Sequence, residues 1–143
     1  MESYSRLLKT ATGVDTCKAF VALALGGNPS EYLNNIENAF KLNGKCAIQL
    51  FIDSRPGTIK KIKGLDEIRD FPFVISLQEK CSEGNVIPNT GDVKQRIFEI
   101  DLLVDDNQFD VTEAIHKIQE TISVKDNNDL EMIVSPIDLK MLY

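Results

Sequence analysis

The stretch Asp53-Ser54-Arg55-Pro56-Gly57 puts an acid, a hydroxyl, an arginine and a glycine within five residues. These types meet at nucleotide and metal sites: an arginine fork binds phosphate oxygens, and a glycine lets the backbone approach them. The stretch also reads as a turn. Pro presets φ near −65° and Gly accepts positive φ, so Pro56-Gly57 suits the centre of a type II turn. No lysine directly follows the glycine and no helix opens after it, so a phosphate loop has little support. The expectation is a hairpin joining a strand over Cys46–Ile52 to one over Thr58–Lys63, and Arg55 is the one residue that a hairpin leaves unexplained. Glu99 and Asp101 form a second candidate, because acids at i and i+2 of a strand point the same way and suit a divalent cation. Phe98, Ile100 and Leu102 claim the inward face, so the expectation is that both acids face solvent. Nucleophilic catalysis would rest on Cys17, Cys46 or Cys81 with the single His116, and none has a partner signature nearby. His116 falls beside Ala114 and Ile115 and is expected on a helix surface. Zinc has no ligand set.

The elements that must hold these residues follow from periodicity. Val14–Leu25 is strongly helical, with Thr12 or Asp15 to cap it and Gly26-Gly27 to end it. Gly26-Gly27-Asn28 follows a helix and not a strand, so it reads as a C-cap, not a phosphate loop. With Val14, Cys17, Val21 and Leu25 on one face, widened by Phe20 and Leu23, this helix is expected to be mostly buried. A second helix is expected over Ser30–Leu42, stopped by Asn43-Gly44. Alternation then predicts strands at Cys46–Ile52, Thr58–Lys63, Phe73–Leu77 and Phe98–Val104, with one helical turn at Leu65–Arg69 and a turn-rich stretch over Ser82–Asp92. Val111, Ala114, Ile115, Ile118 and Ile122 mark an amphipathic helix that Asp110 or Thr112 can cap. A last strand is expected around Asp129–Val134. The class is α+β: two N-terminal helices, then a mostly antiparallel β-sheet with one long amphipathic helix packed on it.

The 143 residues carry a net charge of −6, which argues against nucleic acid as a partner. Lys41 to Lys63 holds six basic residues and one acid, whereas Glu99 to Glu131 holds ten acids and two lysines. Such runs read as solvated faces of opposite sign or as a docking surface for a neighbouring domain or subunit. No run of 18 apolar residues predicts a membrane span, and the first ten residues lack the apolar centre of a signal peptide. An odd, scattered set of three cysteines reads as reduced thiols in a cytoplasmic protein.

Two segments resemble those of ATP-grasp ligases. Thr12-Gly13-Val14-Asp15, leading into an apolar helix that ends Leu23-Ala24-Leu25-Gly26-Gly27, is similar to the segment that follows the catalytic core in that family. Phe51–Ile68, F-x-x-x-x-P-G-x-I-x-x-I-x-G-L-D-E-I, is similar to the hairpin opening the C-terminal domain of the L-amino-acid ligase branch, seen also in carbamoyl-phosphate-synthetase-like proteins. Glu83–Pro88, Arg96-Ile97 and the helix after Asp110 continue the pattern, and the last helix resembles that of the biotin carboxylase C-terminal domain. The family's E-[IV]-N strand, arginine and paired glycines, which hold magnesium and the phosphates, would precede Thr12 and are not in this sequence. The resemblance therefore implies a C-terminal fragment of an ATP-dependent carboxylate–amine ligase, with no catalytic, cofactor or metal residues of its own. Residues 1–43 would trail the core and 44–143 would form a β-rich accessory domain. ATP and magnesium would belong to the parent enzyme. Ser3, Tyr4 and Arg55 would lie nearest its substrate, and the upstream ATP-grasp core would be the partner. A standalone small-ligand or protein-binding module is the alternative, and a homo-oligomer through the sheet edge or the basic strip is the remaining assembly.

Overall fold

The computed structural model describes residues 2–33, 45–90, 95–105 and 107–134, with side chains from residue 5 onward. The chain is α+β. Helices α1 (Glu2–Thr12) and α2 (Thr16–Ala24) are followed by a 3₁₀ turn at Pro29–Tyr32. Then come β1 (Lys45–Asp53), β2 (Gly57–Lys63), α3 (Leu65–Arg69), β3 (Val74–Glu79), β4 (Val86–Ile87), β5 (Arg96–Asp105), α4 (Val111–Thr121) and β6 (Ser123–Asp126). Most of the helix expected over Ser30–Leu42 lies outside the described residues, as do Asn43-Gly44 and the 43/44 boundary.

Among the described residues the strands form two three-stranded antiparallel sheets, ordered β1-β5-β3 and β4-β2-β6. The expected hairpin is absent: β1 pairs with β5 and β2 with β4 and β6, so Asp53–Gly57 carries the chain from one sheet to the other. Gly57, at φ +149°, begins β2 and does not close a type II turn, whose glycine position sits near +80°. The expected last strand is also displaced. The regular strand is Ser123–Asp126, and the returning chain adds only isolated bridges at Glu131 and Ile133.

One core joins the two sheets. Phe98, Ile100, Leu102 and Val104 of β5 pack in the same cluster as Ile59, Ile68, Ile118, Val124 and Met132, all essentially inaccessible to water. The spacing of Ala114, Ile115 and Ile118 turns one side of α4 into this core, and Asp110 caps the helix by accepting from the N–H groups of Thr112 (2.8 Å) and Glu113 (3.2 Å). His116 is exposed on the other side. Helix α1 lies against β1 and β5 and buries Leu7. Helix α2 departs from expectation: Ala19 is its buried residue, and its large apolar side chains are exposed.

Candidate functional site

The sheet-crossing stretch is tied on both sides. Ser54 is buried and its N–H donates to Gln95 O at 2.9 Å, while the Arg55 N–H donates to Met132 O at 2.8 Å. The Arg55 side chain then closes on the β6 turn. Its Nε donates to Glu131 O at 2.9 Å and its Nη2 meets Asp126 Oδ2 at 2.7 Å. Asp126 Oδ1 accepts from the N–H groups of Asn128 (2.8 Å) and Leu130 (3.0 Å). The Arg55 contact foremost, and then the backbone donors, hold the Asp126 carboxyl below its ordinary range against the opposing effect of burial. Arg55 is thus a brace between the sheet crossing and the β6 turn. For Glu131, burial pushes upward but is outweighed by the N–H groups of Val124 and Ile133, the Ser123 hydroxyl and Lys125, so its carboxyl is also held low.

The second candidate pair is split. Asp101 does not face solvent: it is fully buried on β5, accepting from Gln49 Nε2 (3.1 Å) on β1 and Ser76 Oγ (2.8 Å) on β3. Strand alternation places it opposite the Phe98–Ile100–Leu102 row, but β5 is the central strand and both of its faces are covered. Glu99 lies in a ladder across the same three strands, Asp53–Arg96–Glu99–Lys80, with separations of 3.7, 3.7 and 3.3 Å. The Arg96 guanidinium stacks 3.6 Å from the Phe51 ring centre. Cations and anions alternate along it, so the ladder neutralises itself. Among the described residues no group of three or more His, Cys, Asp or Glu is placed to hold a metal ion.

Ser3 and Tyr4 fall on the backbone of α1, and their side chains lie outside the described residues. Cys17 is exposed, Cys46 and Cys81 are half-buried, and burial pushes the Cys81 thiol upward, away from the reactive thiolate. A groove of about 660 Å³ runs beside α3, lined by Ile62, Leu65, Asp66, Arg69, Glu79 and Glu83 among others. Its charged groups are engaged: Arg69 with Asp66 (3.0 Å) and Glu79, and Glu83 with the Ile62 N–H (3.0 Å).

The surface that folding leaves unexplained is α2. Thr12-Gly13-Val14-Asp15 makes the turn that presents it. Gly13, at φ +76°, closes α1 through its N–H to Lys9 O (2.8 Å), Val14 is buried, and Asp15 caps α2 by accepting from the Lys18 N–H at 3.0 Å. Lys9 pairs with Asp15 at 2.7 Å, and together with the capping N–H it holds that carboxyl low. The far end is a Schellman motif. Gly26 is left-handed at φ +76° and its N–H reaches Leu23 O (3.1 Å), while the Gly27 N–H reaches Ala22 O (2.8 Å). Between these firm ends Phe20 is 72% exposed, Val21 58%, Leu23 60% and Leu25 83%. An apolar cleft of about 200 Å³ separates Phe20 and Leu23 from Pro29 and Leu33. No signal in the sequence distinguished this helix from a buried one, because hydrophobicity records that a face must be covered and not by what.

No helix among the described residues is long and apolar enough to cross a membrane. The chain matches no protein-family model, no curated protein and no solved structure.

Proposed function

We propose that this chain is a non-catalytic accessory domain that docks through α2 onto a protein partner. The single observation that carries the reading is the exposure of Phe20, Val21, Leu23 and Leu25 on a helix capped firmly at both ends. Apolar surface of that kind marks an interaction site. Following the resemblance in Thr12–Gly27 and Phe51–Ile68, the partner is the ATP-grasp core of a cytoplasmic carboxylate–amine ligase. That core would hold ATP and magnesium and phosphorylate the carboxylate. The described residues of this chain offer no cradle for a triphosphate: Arg55 is committed to Asp126 and Glu131, and Glu99 to Lys80 and Arg96. Calorimetric titration of the chain with Mg-ATP is the test. The expected result is no binding heat and no phosphate release. Saturable binding or turnover would overturn the non-catalytic reading.

The same face supports a second reading, a standalone binding module whose partner is a separate protein. The reading frame upstream of Met1 separates the two, since an ATP-grasp core in continuous frame is required by the first and absent in the second.

A further inference from the structure

We infer that the partner surface for α2 is a concave apolar groove with an acidic rim, which encloses the helix, and not a flat face or the α2 of a second copy. This inference rests on the docking role proposed above and concerns what the partner must look like. At 3.6 residues per turn each residue advances about 100° around the helix. Setting Phe20 at the origin, the exposed residues Leu23, Phe20, Ala24, Cys17, Val21 and Leu25 span roughly 200° of the circumference. The side turned to the rest of the chain carries the small residues Ala19 and Ala22, the first buried and the second half-buried. The helix therefore stands out from the body on small side chains and presents its large ones over more than half its girth.

A flat partner or a parallel helix covers a stripe of only about 100°. Against α2 such a stripe would reach Phe20 and Val21 and leave Leu23 or Leu25 in water. The helix has nine residues and is about 14 Å long, so the stripe offered by a second copy also falls well short of the roughly 800 Å² per partner in a standard interface. Enclosure in a groove removes all four large side chains from water at once, the mode in which an apolar helix is bound by a cleft. Charge points the same way. Within the exposed arc there is no ionisable side chain other than the Cys17 thiol, and the first full charge is Lys18 at its edge, exposed to solvent. The groove is accordingly uncharged in its floor, and its rim offers a carboxylate to Lys18.

The test places a photo-crosslinking amino acid, one position at a time, at residues 20, 21, 23 and 25 of the full-length protein in its native cells. Crosslinked peptides are mapped by mass spectrometry, and sedimentation velocity of the purified chain at two concentrations is run beside it. The expected result is adducts from all four positions to apolar residues of one protein, with a carboxylate near Lys18. The chain alone is expected to sediment as a monomer. Adducts from Phe20 and Val21 but not from Leu23 or Leu25 would overturn the groove and leave docking in place. Adducts to a second copy of this chain would also overturn the groove. No adduct from any position would overturn the docking role itself.

Discussion

Gly64 sits at φ +88° ahead of α3, and a Cβ there would lie 2.1 Å from the carbonyl oxygen of Thr121. No flexible side-chain end can yield at that contact, because the obstacle is backbone. Gly64→Ala is expected to cost about 2–4 kcal/mol, from left-handed strain plus overpacking, read as a drop in the urea midpoint. Arg55 belongs to the same scale. Asp126 has a depressed folded pKa, so its contribution to stability is complete above the ordinary carboxylate range near 4 and is lost as pH falls through the lower folded value. Asp15, Asp105 and Glu131 are depressed as well and act in the same direction. Unfolding free energy is therefore expected to fall between pH 7 and pH 3. Arg55→Met should lower stability at pH 7 and flatten that fall. An equally steep fall in the variant would show that the Arg55 contact is not what holds Asp126 low. The sequence singled out Arg55 as the residue a local turn could not explain. It could not supply the partner, which lies 71 positions downstream. Asp101 was misread for a related reason: alternation tells which way a side chain points, not whether that face is covered.

Elements whose causes are local were legible. Helix α4 declares itself through the 3.6-residue spacing of Val111, Ala114, Ile115 and Ile118 and through the Asp110 cap, all within a dozen residues. Asp110→Ala is expected to cost about 1 kcal/mol, since two N–H groups lose their acceptor, and thermal or urea unfolding would read it directly. The cap and Schellman ends of α2 were readable on the same grounds. Strand pairing was not. The positions of β1, β2, β3 and β5 followed from alternation, but sequential strands with a Pro-Gly between them suggested a hairpin. The actual partners, β5 for β1 and β6 for β2, are more than 40 residues away in each case. Strand β6 was hidden by its brevity, and α1 by a short apolar pattern, Leu7, Leu8 and Ala11, that carried no strong start signal.

For the molecule as a whole, the opposite charge runs noted in the sequence partly consume one another. Arg55 pairs with Asp126 and Lys60 with Asp129 across the β2–β6 side, so the asymmetry in sequence is not a surface of two signs there. The apolar surface of α2 has no such internal answer. Phe20→Glu and Leu23→Glu are expected to leave unfolding free energy within about 0.5 kcal/mol of the parent chain, because both side chains are exposed in the fold. They should abolish partner capture. A large loss of stability instead would mean that α2 serves the fold and not docking.

The sheet crossing at Ser54 and Arg55 has a kinetic consequence. Ser54 is fastened to the chain entering β5, in one sheet, and Arg55 to the chain leaving β6, in the other. Neither sheet can separate from this stretch without pulling on the other. Opening should then be concerted, with slow amides of β5 and β2 exchanging deuterium at one common opening free energy despite sharing no strand ladder. Two distinct exchange classes, one for each sheet, would mean that the stretch is a hinge and the sheets breathe independently.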